Sequence, residues 1–230
     1  MNNPEQLDIG AVIVAAGRSQ RMGNVDKIFA LLAGQPVLLR ALEPFIDCLD
    51  VDRIVVVLNA RNYDEGTELI AAQNWEKEVA VCNGGKRRQD SVMAGLKKLG
   101  VCDYVVIHDG ARPLATVDLI EEAVRVAMET GAAIPAVPAT DTIKLADKNM
   151  YIHNTLNRET LWLCQTPQVF QYEMLMKAYC ESEAEVTDDA QLIELAGGKV
   201  KLFMGSYDNI KITTPADMEI AETLWKRRKV

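Results

Sequence analysis

Short apolar runs alternate with amphipathic stretches along most of this chain. The first run, residues 10–15, carries no charge and ends in small residues. An unalternated run of that length predicts a strand buried on both faces. Beyond it, Val37, Leu38, Ala41, Leu42 and Phe45 recur at helical spacing, which predicts a helix with Pro36 as its first residue. Residues 53–59 repeat the buried-strand pattern. A helix is predicted over 63–72, a short third strand over 78–82 and, after residues 83–91, a helix through Leu99. A fourth strand covers 103–108, a helix 117–130 and a strand 132–137. The pattern then changes. Residues 141–145 and 151–156 alternate weakly around Asp147-Lys148-Asn149, which predicts a β-hairpin arm within about 138–166. Helices resume at 172–180 and 187–195, the latter with Thr187 as N-cap and Asp188 and Asp189 favouring its first turn. A strand over 199–204, a short strand carrying Ile210 and Lys211, and a helix beginning at Pro215 complete the chain.

Strands alternating with helices predict an α/β fold with a mostly parallel central sheet, here as a single domain spanning 1–230. Ligands of such sheets bind beyond the carboxyl ends of the strands. That rule collects the loops after the first, third and fourth strands, and each of them carries glycine plus charge. The first loop begins at Ala15-Ala16-Gly17 and contains Arg18, Arg21 and Lys27. Small residues let a backbone approach a ligand closely, and cations with free N–H groups suit a polyphosphate. Neither G-x-x-x-x-G-K-[ST] nor G-x-G-x-x-G is present, so this is neither of the two best-known phosphate loops.

Composition narrows the field further. A net charge of −8 argues against a general nucleic-acid binder, and the basic residues 226–229 read as solvated charge at a helix C-terminus. The five cysteines form no C-x-x-C pair, so neither a zinc site nor a disulfide framework is expected, and reduced thiols in a cytoplasmic protein are. No signal-peptide pattern and no membrane-length apolar run is present.

Taken in order, the loops read Ala15-Ala16-Gly17, Arg21-Met22-Gly23, Lys27, Gly84-Gly85, Asp90-Ser91-Val92, His108-Asp109-Gly110-Ala111-Arg112-Pro113, Asp141-Thr142, Arg158, Gln165-Thr166-Pro167-Gln168, Thr187-Asp188-Asp189 and Asp208-Asn209-Ile210-Lys211. This series closely resembles the 2-C-methyl-D-erythritol 4-phosphate cytidylyltransferase family, over about residues 9–222. The resemblance implies a three-layer, Rossmann-like nucleotidyltransferase fold. It also implies CTP and a polyol phosphate as substrates, Mg²⁺ as cofactor, and a homodimer whose arms embrace the neighbouring subunit. Two departures stand out. The family's loop lysine usually lies between proline and glutamine, whereas Lys27 lies between Asp26 and Ile28, and Gly110 stands where alanine is usual, which would loosen the turn after Asp109.

The implied reaction displaces pyrophosphate from the α-phosphorus by a substrate phosphate oxygen, with both reactants anionic. Fixed cations aimed at the developing charge lower such a barrier. Arg21 and Lys27 are the expected transition-state stabilisers. Lys211 would align the α-phosphate with the incoming phosphate. Arg158 would hold the substrate phosphate, since a guanidinium binds phosphate in bidentate fashion. Thr142 and Arg158, on the arm, would act across the dimer. Asp109 would receive substrate hydroxyls. Ala15, Ala16 and Gly17 would lie beneath the nucleotide, and Gly85 and Ser91 near its base or ribose, with a helix-start hydroxyl as the other reading of Ser91. Arg112 reads equally as a site residue or as the structural partner of a carboxylate. His108 and His153 read as structural, and Trp75, Trp162 and Trp225 as packing residues.

Two other readings share many of these features. One is a cytidylyltransferase for another polyol phosphate, such as ribitol 5-phosphate. The other is a non-catalytic nucleotide sensor that kept the fold and lost turnover.

Overall fold

In the computed structural model, residues 7–17, 26–182 and 184–228 are described. The chain begins with β1 (Ile9–Ala15), a two-residue hairpin of β2 (Leu31–Leu32) and β3 (Gln35–Pro36), and α1 (Val37–Asp47). Next come β4 (Arg53–Leu58), α2 (Tyr63–Ala71), β5 (Val79–Asn83), α3 (Arg88–Leu99), β6 (Tyr104–Asp109), α4 (Val117–Thr130) and β7 (Ala132–Pro138). An excursion follows, made of β8 (Lys144–Ala146) and β9 (Ile152–Thr155), and a single 3₁₀ turn at Arg158–Thr160 leads out of it. The chain returns through β10 (Trp162–Cys164) and β11 (Gln168–Gln171) and ends with α5 (Tyr172–Glu181), α6 (Asp189–Leu195), β12 (Lys201–Met204) and α7 (Pro215–Arg228).

The main sheet runs β10-β7-β11-β6-β1-β4-β5, with β12 also pairing β7. β6, β1, β4 and β5 are mutually parallel, so their carboxyl ends open on one edge. β11 runs antiparallel between β6 and β7. The alternation of side chains along the parallel strands explains why their sequences show no polar face. Ala11, Ile13, Ile54, Val56 and Val106 join one apolar cluster with α1 and α4. Val12, Val55, Val57, Val105 and Ile107 join a second with α3, α5 and α6. Helices therefore cover both faces of the sheet, which gives the three layers.

Local signals account for most boundaries. Thr116 caps α4 by accepting from the Leu119 N–H at 3.2 Å, and Gly131 ends it with a φ of 84°. Pro36 lies in β3 as the residue before α1, not as its first helical residue. Asp188 caps α6 in place of Thr187, accepting from the Gln191 N–H at 3.1 Å. Its carboxylate is the stronger acceptor, and the Thr187 hydroxyl instead lies against the Gln191 amide oxygen. The segment with Ile210 and Lys211 is a loop, not a strand. The one ladder-like bond there that bears on the site runs from the Ile212 N–H to the Ala111 carbonyl at 2.8 Å.

The arm is real but short. β8 and β9 form their own two-stranded sheet, with an irregularity between Leu145 and Ala146. Every residue of both strands is exposed, including Leu145 and Ile152. Trp162, expected as a packing residue, lies on the exposed β10, whereas Trp75 and Trp225 do pack against apolar clusters. No helix among the described residues is long and apolar enough to cross a membrane.

Candidate active site

A cleft of about 990 Å³ opens at the carboxyl ends of β1, β4, β5 and β6. Ala15, Ala16, Gly17, Gly84, Gly85 and Ser91 line it as one closely packed wall, and Lys27, Asp109 and Lys211 line it as well. The close wall has a steric cause. A methyl added at Gly84 would lie 2.5 Å from the Ala16 Cβ and 2.7 Å from the Ser91 Oγ. Ser91 is buried, accepts from the Gly85 N–H and donates to the Arg87 carbonyl, both at 3.1 Å. Its hydroxyl thus fastens the glycine turn to the first turn of α3, which is the helix-start reading, while the residue still borders the cleft.

Lys27 reaches across to the 211–213 segment and donates its ammonium to the Ile212 carbonyl at 3.0 Å. Asp26 accepts from the Asn62 side-chain amide at 2.5 Å. The departure before Lys27 is therefore used locally: the carboxylate ties this loop to the turn after β4. That turn, residues 59–62, is a fourth contributor to the cleft, together with its Arg61. Sequence reading left it out because it holds no glycine; Asn59 and Asn62, both turn-forming residues, were its only signal. Arg21 lies outside the described residues.

Asp109 ends β6 and is 7% exposed. Lys211 lies 2.8 Å from its carboxylate, Arg88 3.5 Å and Arg112 3.8 Å. Burial alone would push this carboxyl up, but the three cations outweigh it and hold Asp109 well below the usual carboxylate range. Arg112 resolves as a structural partner: it pairs with Asp109 and donates to the Asn209 carbonyl at 2.6 Å. Burial lowers its own pKa. Gly110 does not loosen the turn here. Its N–H bonds to the Val14 carbonyl at 2.9 Å, and an added methyl would lie 2.9 Å from the Ala15 Cβ.

His108 is structural, as read from the sequence. It is fully buried, with Nε2 3.1 Å from the Arg112 carbonyl and Nδ1 3.0 Å from the Thr166 hydroxyl. A carbonyl can only accept, so Nε2 carries the proton and Nδ1 accepts from Thr166. The Thr166 oxygen in turn accepts from the Asp109 N–H at 3.1 Å. This chain fixes the backbone of Asp109, and burial lowers the imidazole pKa to about 4. His153 is exposed on β9.

The segment bearing Lys211 is held by Asn209, which is fully buried. Its amide donates to the Thr166 carbonyl at 2.9 Å. Nothing in the sequence marks this asparagine apart from its place in the motif; an Asp-Asn pair before an apolar residue looks like any turn. Arg88 is likewise unmarked in the sequence, as one of the three consecutive basic residues Lys86-Arg87-Arg88. Thr142 and Arg158 do not join the cleft within one chain. Both sit on the arm, and Arg158 donates to the Thr140 carbonyl at 2.6 Å.

A Rossmann-like sheet with a cationic cleft at its parallel strand ends, walled by small residues and closed by one buried carboxylate, defines a nucleotidyltransferase-type site. The model of the 2-C-methyl-D-erythritol 4-phosphate cytidylyltransferase family matches residues 9–227. A protein of that name from Dehalococcoides mccartyi is 47% identical over 219 residues, covering 95% of this chain and 96% of its own. Another, from Alkaliphilus oremlandii, is 42% identical, covering 95% of each. The crystal structure of 4-diphosphocytidyl-2C-methyl-D-erythritol synthase from Anaerococcus prevotii superposes with a TM-score of 0.86 at 30% identity, covering 97% of this chain and all of that one. The chain belongs to the 2-C-methyl-D-erythritol 4-phosphate cytidylyltransferase family.

Proposed function

We propose that this chain transfers CMP from CTP to 2-C-methyl-D-erythritol 4-phosphate, releasing pyrophosphate, as a step of isoprenoid biosynthesis. The observation that carries the reading is the convergence of Lys27, Asp109 and Lys211 on one cleft in a chain of this family. An ionised phosphate oxygen of the polyol phosphate attacks the α-phosphorus of CTP. A new P–O bond forms, the α–β bridging bond breaks, and its electron pair leaves with pyrophosphate. No general base is required, because the attacking oxygen is already deprotonated.

Each assigned side chain answers one demand of that displacement. Lys27, with Arg21, stabilises charge on the triphosphate as the bond breaks. Lys211 draws the two phosphates into line. Ala15, Ala16, Gly17 and Gly85 leave room for the nucleotide against the backbone, beside Ser91. Asp109 accepts from substrate hydroxyls. Thr142 and Arg158 complete the substrate end from the arm of a second subunit, so the working form is a homodimer, and we assign it to the cytoplasm.

Mg²⁺ is part of the proposal as an ion borne by CTP. Among the described residues no cluster of three or more metal-ligating side chains exists, and Asp109 is already ringed by cations. The donor set therefore fits an ion held by phosphates and water rather than a protein cage. When bound it would neutralise part of the triphosphate charge.

Pyrophosphate release with CTP and each polyol phosphate tests the reading. Turnover with methylerythritol phosphate well above that with ribitol 5-phosphate is expected. The reverse preference would reassign the substrate. CTP binding without turnover on any polyol phosphate would make the chain a sensor.

A further inference from the structure

Groups from three helices connect to the carboxylate that ends β6, and of these Arg88 itself borders the cleft. Arg88, the first residue of α3, lies between two carboxylates: Asp109 at 3.5 Å and Asp189 at 2.6 Å. Asp189, the first residue of α6, is fully buried. Its other carboxylate oxygen accepts from the Tyr179 hydroxyl of α5 at 2.6 Å. Neither Asp189 nor Tyr179 borders the cleft.

The three cations around Asp109 are not equivalent. Lys211 is a flexible side chain, 38% exposed. Arg112 is committed to the Asn209 carbonyl and stands furthest from the carboxylate. Arg88 alone is anchored from behind by a second buried carboxylate. When Lys211 turns to an incoming phosphate, Asp109 loses its shortest ion pair. A buried carboxylate left without a partner is strongly destabilising, so Lys211 could leave only at a high cost unless another cation remained in place.

We propose that Asp189 and Tyr179 are positioning residues for the transfer: they lock Arg88 as the standing counter-cation of Asp109, which releases Lys211 to the substrate phosphate. The proposal rests on the assignment of Lys211 given above. It goes beyond that assignment because it places two side chains outside the cleft in control of one inside it.

Asp189→Asn keeps an acceptor for Tyr179 and removes the charge that holds Arg88. Tyr179→Phe removes only the brace. The measurements are kcat and KM for each substrate, CTP affinity by calorimetry, and melting temperature. Asp189→Asn should lower kcat/KM for methylerythritol phosphate by about tenfold or more, and Tyr179→Phe by roughly threefold, with CTP affinity held within about twofold. In an Arg88→Ala background, Asp189→Asn should cost nothing further in kcat/KM, because the residue it acts through is gone. Wild-type kcat/KM in both single variants overturns the proposal, as does an equal loss in CTP affinity. If Asp189→Asn does not fold, Tyr179→Phe decides alone, and an unchanged kcat/KM in it overturns the proposal. Lys211→Ala separates the two levels. If it is impaired while the other variants are not, only this inference falls; if it turns over normally, the assignment of Lys211 falls and takes the inference with it.

Discussion

Lys27 and Ile212, 185 positions apart in sequence, are joined by a 3.0 Å hydrogen bond from ammonium to carbonyl. The bond brings the loop after β1 against the segment that carries Lys211. Two cations assigned to the same phosphates are thus held on one short span, Lys27 by the Ile212 backbone and Lys211 as its sequence neighbour.

Lys27→Ala removes one arm of that span. Its proposed interaction strengthens as charge develops on the leaving pyrophosphate, so turnover should fall roughly hundredfold, about 3 kcal/mol, while CTP affinity changes little. Steady-state pyrophosphate release and calorimetry on the same preparation make the comparison. An unaltered turnover number would take Lys27 out of the chemistry.

The bond from Asn62 to Asp26 holds the same loop from its other side. Asn62→Ala leaves the carboxylate without its amide donor and should cost about 1.5 kcal/mol of stability. For a chain of this size that is a melting-temperature loss of roughly 3–6 °C. Thermal denaturation reads it directly. Asn62→Asp, which sets two carboxylates together, should lower the melting temperature further.

Acid should unfold the protein partly through His108. Its pKa falls from about 6.5 in the unfolded chain to about 4 in the fold. Between those values the unfolded state binds the extra proton, so stability rises with pH. The contribution is complete above about pH 6.5 and is lost as pH falls toward 4, roughly 3 kcal/mol across the window. Asp109 adds to the loss at lower pH, since its depressed pKa contributes stability only while it is ionised. Urea melts from pH 7 to pH 4 should show the slope, and His108→Gln should flatten its upper part.

The arm predicts shared sites. Subunits carrying Arg158→Ala mixed with subunits carrying Lys27→Ala should recover activity, because one of the two sites in each heterodimer then holds both wild-type residues. Verified heterodimers with no recovery would confine Arg158 and Lys27 to one chain.

Much of this molecule was legible in its sequence because its strands are buried on both faces. Runs such as Val55-Val56-Val57 admit no other reading, and the loops that follow them fall where parallel strands must place them. Positions 168–171 were harder. They form a central strand, yet they follow a proline, and only four residues pair there. Asp109 announced itself at a strand end; Asp189 did not, because its partner Arg88 lies 101 positions away. Lys211 follows the apolar Ile210, which suggests a strand, but an extended loop with a buried neighbour such as Ile212 produces the same pattern. The arm residues were visible as a hairpin, but Thr142 and Arg158 do not line the cleft of their own chain, and their proposed action across two chains is not written in the pattern of one.

The place of β11 between β6 and β7 has a consequence for how the molecule is made. β6 precedes β7 in the chain, yet neither pairs the other; the strand that joins them is synthesised only after the whole arm excursion. A nascent chain that has reached Pro138 can zip β6, β1, β4 and β5 together, but its β7 has no strand to pair until β10 and then β11 emerge, after the arm. The part of the cleft built by the loops after β1, β4, β5 and β6 is thus available early in synthesis. The side that carries Lys211, on the segment that Asn209 ties to Thr166, is a late addition, closed by the last third of the chain.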